Sequence, residues 1–278
     1  MPELSLSAFD EVVPGVWRAV AQPEAVNIGV VLGETGCLVI DTGSSPAQGA
    51  AIRDEVERAT GRRVTAVVVT HDHSDHFFGL AGFGDVPSYA HETVRPDGES
   101  IASAAAELGL DPADLAAPTV PFALARALDL GGVRAELVHF GPGHTGGDVV
   151  VIVPEAKVVF AGDLLEQAGP PSYGPDSHPI AWPTAIDGML GVLGGDWLLI
   201  PGHGEPVDRF FAFNQRAEIS AIYGQVEHLI GRGVREADAH EQGTWPDWPA
   251  DVIEGLIPHV YAALAATGRV PRPQLPLV

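Results

Sequence analysis

The chain has 278 residues, of which 46% are hydrophobic and 19% charged, enough to bury a sizeable core and too apolar for wholesale disorder. Asp and Glu number 37 against 15 Lys and Arg, a formal net charge of -22, the wrong sign for a nucleic-acid backbone or an anionic membrane surface. The single cysteine, Cys37, can neither close an internal disulfide nor build a cysteine-based zinc site.

Met1 to Pro14 shows no basic patch followed by an apolar stretch, so no signal peptide is expected and the cytoplasm is the expected compartment. Gly15 to Ala21, Asn27 to Leu32 and Cys37 to Ile40 read as short strands, the last two joined by a Gly33-Glu34-Thr35-Gly36 hairpin turn. Ser45 as N-cap and Pro46 in the first turn open a helix to about Thr60, with Ile52, Val56 and Ala59 on one face. Val64 to Val69 is a β-branched run suited to a strand buried on both faces. A polar loop from His71 to His76 follows, then a second helical stretch. His91 to Leu115 is Ala-rich and reads as helix broken at Asp111-Pro112.

The second half repeats the style. Val133 to Phe140, Asp148 to Val153 and Lys157 to Ala161 read as strands, and Pro170 to Pro179 as an exposed loop. Ala181 to Leu193 reads as helix and Trp197 to Ile200 as a short strand. Ile219, Ile222, Tyr223, Val226, Leu229 and Ile230 fall at helical spacing, and a final helix spans about Ala250 to Ala266. Strands followed by helices, twice over, predict two sheets with helices outside them. No apolar run approaches the roughly 20 residues that a membrane helix needs.

Chemistry concentrates in Thr70-His71-Asp72-His73-Ser74-Asp75-His76, directly after a buried strand. Imidazole nitrogens and carboxylate oxygens are the ligands that zinc prefers, and a strand end holds such donors firmly. His71 and His73, two apart in extended chain, point the same way, while Asp75 and His76 lie past a bend and can address a second point. Three later segments end a strand with a ligand-type residue: His144 in the Gly-rich turn Phe140 to Asp148, Asp163 after Val158 to Gly162, and His203 after Leu198 to Gly202. Taken singly each is weak, since a lone His in a glycine turn is more often structural and a strand-end Asp is more often a helix cap.

In order and character, the four segments together resemble the metallo-β-lactamase superfamily. Its signature is His-x-His-x-Asp-His, a downstream His in a Gly-rich turn, an Asp after an apolar strand and a late Gly-His, here His71, His73, Asp75, His76, His144, Asp163 and His203. Val39-Ile40-Asp41-Thr42-Gly43 also looks like the family's first motif, and the resemblance runs from about Val16 to Gly204. It implies an α/β (α+β) fold, a four-layer αββα sandwich spanning residues 1–210, with residues 211–278 as a helical C-terminal extension packed on it. It further implies a binuclear centre of two zinc ions. His71, His73 and His144 would hold one, Asp75, His76 and His203 the other, and Asp163 would bridge them. Two metals about 3.5–4 Å apart can share a hydroxide that attacks a carbonyl. Asp75 would align that hydroxide as a catalytic residue and help protonate the leaving group. Asp41 matches a family position that supports the ligand loop; before Gly43 it reads equally as a turn former.

None of His91, His139, His178, His228, His240 and His259 has ligand spacing. His178, with Tyr173, lies in the loop after Asp163, where either could donate a hydrogen bond to a substrate oxygen. Within the family, Asp163 stands where one class of true β-lactamases has a cysteine ligand, so only a β-lactamase lacking that cysteine remains an alternative. From Gly204 onward, 10 acidic residues face 6 arginines and no lysine, which disfavours a glutathione thioester. His73 argues against the flavin-di-iron branch. The expectation is a metal-dependent hydrolase acting on a small ester, thioester, lactone or amide, with no nucleic-acid or membrane partner. Because the same donors bind iron, a mononuclear Fe2+ persulfide dioxygenase is the other alternative.

Overall fold

A computed structural model describes residues 5–271. Residues 1–4, part of the Met1 to Pro14 segment, and residues 272–278 of the helical extension lie outside the described residues. The first half carries β1 (Asp10–Val13), β2 (Val16–Ala21), β3 (Val26–Leu32), β4 (Cys37–Ile40), β5 (Ala66–Val68), β6 (Ser88–His91) and β7 (Val120–Phe122). Its helices are α1 (Pro46–Thr60), the single turn α2 (Ser74–Phe77) and α3 (Glu99–Glu107). The second half carries β8 (Ala125–Asp129), β9 (Arg134–Val138), β10 (Val150–Val153), β11 (Val158–Glu166) and β12 (Leu198–His203), with α4 (Trp182–Val192) between the last two. Helices α5 (Arg209–Gly231), α6 (Ala239–Gln242) and α7 (Ala250–Ala266) end the chain.

Local chemistry accounts for α1. The Ser45 hydroxyl accepts from the Gln48 N–H, Pro46 sits in the first turn, and Gly61 closes the helix in the left-handed conformation, its N–H bonded to the Glu57 carbonyl. A Cβ on Gly79 would lie 1.8 Å from the Thr42 carbonyl oxygen, and one on Gly49 would lie 1.8 Å from the Gly79 oxygen. Backbone therefore touches backbone where α1, the loop after β4 and the chain after α2 meet, and a methyl group at either glycine has no room.

Two expectations are corrected. The strands form one hydrogen-bonded ladder, β7-β6-β5-β4-β3-β12-β11-β10-β9-β8, rather than two separate sheets. The joint between its halves is a single antiparallel pair, His203 with Val26. The helix expected from His91 also starts late: His91 ends β6, turns follow, and helix begins at Glu99. His91 accepts on its carbonyl from Val94 and pairs in β6 with Phe122, so the sheet claims the segment before helix propensity can act.

Side-chain alternation sorts the interior into layers. Cys37, Val39, Val67 and Val69 face α1 through Ile52 and Val56. Leu38, Ile40 and Val68 face the other way, onto Leu137, Val151, Val153, Val158 and Phe160 of the second half. On the far side, Val150, Ile152, Val159 and Ala161 meet Trp182, Ile186 and Met189 of α4 and Ala212 and Ile219 of α5. Helix, half-sheet, half-sheet, helix is the αββα order. The end of α5 and α7 build a fourth cluster around Val226, Leu229, Leu256 and Val260. No helix among the described residues is long and apolar enough to cross a membrane.

Strands β4 and β5 are parallel, as are β11 and β12, each pair joined through a helix. Asp41 and His71 follow β4 and β5, while Asp163 and His203 lie on β11 and β12. Such strand ends are where α/β folds gather ligands.

Candidate metal centre

Strand β5 ends at Val68, and the next residues are buried through His71. His73 has extended backbone at the entry of α2, whose one turn carries Asp75 and His76. That turn is tied down from behind: the Thr42 N–H and hydroxyl both donate to the His76 carbonyl, at 2.9 and 2.7 Å. His144 sits in a turn held by Asp148, whose carboxylate accepts from the Gly143 N–H, the Thr145 N–H and the Thr145 hydroxyl.

The seven expected donors converge. The His73 Nδ1 and His144 Nε2 lie 2.9 Å apart, and the Nε2 atoms of His76 and His203 lie 3.4 Å apart. Asp163 stands between these sets. Its Oδ2 is 3.4 Å from His144 Nε2, 3.5 Å from His203 Nε2 and 3.7 Å from His71 Nε2, and its Oδ1 is 3.3 Å from His76 Nε2. Asp75 Oδ2 faces His203 and His76 at 3.4 and 3.5 Å. Within each group, His71-His73-His144-Asp163 and Asp75-His76-His203, one donor atom per residue lies within 4.8 Å of the others.

Each imidazole spends its outer nitrogen on a fixed partner. His71 Nδ1 faces the Thr70 hydroxyl at 3.0 Å, His76 Nδ1 faces Asp41 at 2.8 Å, and His144 Nδ1 faces the Ser172 carbonyl at 3.2 Å. His203 Nδ1 meets the Glu24 carbonyl at 2.8 Å, and His73 turns its Nε2 to Asp176 at 3.0 Å. Such partners fix the ring orientation and leave the inner nitrogen free to ligate. Asp41 works on both sides of the loop, since it also accepts from the Thr70 N–H and hydroxyl. It does so at φ 63°, a strained angle for a residue other than glycine.

Electrostatics divides the donors. Burial drives His71 well below its ordinary value and pushes His144 down to about 4, so both are neutral, the ligating form. Burial opposes the charged forms of His76 and His203 too, but the carboxylates around them together outweigh it: Asp163, Asp75 and Asp41 raise His76 strongly, and Asp163 with Asp75 raises His203 to about 9. Against the same burial, the charged His76 ring holds the Asp163 carboxyl well below the usual range. His71 Nε2 and Asp163 Oδ1 are buried with no hydrogen-bond partner. An orphaned buried polar atom costs about 1–3 kcal/mol. A cation among seven nitrogen and oxygen donors satisfies both atoms, so the residues fit one or two borderline metal ions.

An open cavity of about 410 Å3 lies over the cluster, bordered by Glu24, His73, Asp75, Asp163, Glu166 and His203. No lysine or arginine lines it. The two residues expected to contact substrate lie elsewhere. Tyr173 packs on Trp182, ring centroids 5.4 Å apart, with its hydroxyl buried. His178 lines a different cavity beside His259, because its backbone is engaged by Gly143 and by the start of α4.

Sequence reasoning missed two residues. Asp176, inside the expected exposed loop, holds His73 from 103 residues away, and a lone Asp between Pro and Ser gives no sign of it. Glu166 joins Asp163 and His203 as a third donor group because β11 runs on past Asp163. Burial pushes its carboxyl up to about 7. Cys37 lies in the core with its thiol pushed up by burial to about 12, and takes no part.

Residues 21–211 match the family described as Metallo-beta-lactamase superfamily. The chain is 28% identical over 184 residues to the metallo-beta-lactamase type 2 of Bacillus cereus, covering 65% of this chain and 68% of that protein. It is 24% identical over 262 residues to a linear primary-alkylsulfatase of Pseudomonas sp., covering 76% of this chain and 48% of the relative. Among solved structures, a metallo-beta-lactamase from Pontibacter korlensis superposes with a TM-score of 0.63 at 23% identity, over 78% of this chain and 99% of that one, a likeness of fold. With the match spanning most of the chain and every signature donor brought into the two donor groups, the chain belongs to the metallo-β-lactamase superfamily.

Proposed function

We propose that the chain is a hydrolase with two zinc ions that cleaves a small uncharged ester, thioester, lactone or amide. The observation that carries this reading is the pair of donor groups with Asp163 oxygens facing both. His71, His73 and His144 would hold one ion and Asp75, His76 and His203 the other, with Asp163 between them. When bound, two such ions supply an activated water at neutral pH and an electrophile for the substrate oxygen.

The chain's own residues do the rest. Asp75 borders the open cavity, so its carboxylate can orient the water, take a proton from it and pass that proton to the leaving group. The outer partners Thr70, Asp41, Ser172, Glu24 and Asp176 keep five imidazoles aimed inward through turnover. The cavity wall adds carboxylates and no fixed cation, which favours a substrate without a carboxylate of its own.

Elemental analysis of the purified protein tests the reading first. Close to two zinc ions per chain is the expected result, followed by turnover in an ester, thioester and lactone screen. Close to one iron, with oxygen uptake on a persulfide, would replace the hydrolase with a dioxygenase.

A second expectation concerns Asp176. Its removal in Asp176→Ala frees the His73 ring to turn while leaving every inward donor in the chain. Zinc affinity, read by competition with a chromophoric chelator, falls roughly 10–100-fold. An unchanged competition curve would make Asp176 a bystander.

A further inference from the structure

A cavity larger than the one over the cluster shares a lining residue with it. A cavity of about 650 Å3 opens between the turn joining β2 to β3, the start of α1 and the end of α3. It meets the metal-side cavity at Glu24, which lines both. The carbonyl of the same residue accepts from His203 Nδ1, so the two spaces adjoin within one residue of a candidate ligand.

Its walls are apolar: Pro23 from the turn, Pro46 and Ala47 from α1, and Leu108 and Leu110 after α3. Several of the polar groups beside them are already engaged. Ser44 donates its N–H to Gln48 Oε1, the Ser45 hydroxyl accepts from the Gln48 N–H, and the Gln48 amide donates to the Gln22 carbonyl. Gln48 thus pins the α1 entry to the β2–β3 turn and keeps the space open. The charged residues that line it, Glu24, Glu107 and Asp114, are exposed and all acidic. An anionic group is repelled by them, and a cation pairs with them only at their exposed positions, not along the apolar walls, so the interior suits an uncharged group. Size and lining are those of a small-molecule pocket.

We propose that this cavity is the subsite for an uncharged alkyl or aryl acyl chain of the substrate, with the bond to be cleaved lying over Asp75 and Asp163. The proposal rests on the hydrolase reading for the reaction, and on the cavity alone for the chain it accepts.

Calorimetric titration of octanamide into the metal-loaded protein tests the cavity without turnover. Octanamide binds, and shortening the amide weakens binding about fourfold per methylene. Ala47→Trp, which fills the space from an exposed position, and Leu108→Glu, which charges its wall, each weaken octanamide at least tenfold. No binding of octanamide, or equal binding by wild type and both variants, overturns the proposal. A series of p-nitrophenyl esters from acetate to octanoate tests the reaction. The expected kcat/KM rises with chain length, and the rise flattens in Ala47→Trp. Hydrolysis of all esters at one rate counts against the cavity. Octanamide binding with no ester hydrolysed counts against the hydrolase reading instead.

Discussion

Asp163→Ala lowers turnover of the best substrate by more than about a thousandfold, equivalent to about 4 kcal/mol of transition-state stabilisation. Its side chain faces both donor groups: its two oxygens lie 3.3–3.7 Å from the inner nitrogens of His71, His76, His144 and His203. Removing it deletes the carboxylate that faces the charged His76 and His203 rings, and with it a donor that would serve both metal sites. Metal content therefore falls with activity, from near two per chain to below one, in the same sample. Asp163→Asn keeps the volume and loses the charge, and retains more metal than the Ala variant. A fully loaded and fully active Asp163→Ala protein would remove Asp163 from the centre.

Gly202→Ala produces nearly the same loss from a residue with no donor atom. A Cβ at position 202 would lie 1.7 Å from Asp163 Oδ1 and 2.9 Å from its Cγ, with the Asp163 backbone nitrogen at 3.1 Å. Asp163 is buried, so its carboxylate can move only off the point where the donors converge. Overpacking of this kind costs about 1–3 kcal/mol of stability. The melting temperature drops by several degrees, and zinc content drops with it. Gly191→Ala is the control: a Cβ there meets nothing within 4 Å, so metal content stays at the wild-type level. Equal zinc in the two variants would mean that β12 yields and Asp163 keeps its place.

The donors were legible in the sequence because residue type and position carried the same message. A β-branched run ending in His71, or an apolar run ending in Asp163, declares a buried strand and a polar group at its mouth. The entry to α1 was equally readable, since Ser45 and Pro46 act within one turn of the helix that they start. Features set by distant contacts were not. β7 and β8 are short, contain Pro121 or mostly exposed side chains, and exist because β6 and β9 pair with them. The partners of His73 and His203 come from Asp176 and the Glu24 carbonyl, and neither gives a local pattern. Tyr173 reads as a loop residue with a free hydroxyl, yet its ring is claimed by Trp182 and the C-terminal helices. Polarity of a loop indicates solvent; it does not indicate which of its side chains turn inward.

The single strand pair joining the two halves of the ladder has a consequence for alignment. His71, His73, Asp75 and His76 belong to one half, and His144, Asp163 and His203 to the other. Apolar packing between the half-sheets attracts without direction and tolerates sliding. Donors aimed at a common point do not. Metal held by donors of both halves would therefore act as a clasp, closing intervals of 71 residues between His73 and His144 and 127 between His76 and His203. It would set the register of one half-sheet against the other far more finely than packing does. A substitution at Leu137 or Phe160, deep between the half-sheets, reaches the clasp as a sideways shift, so such a variant loses its metals while it still folds.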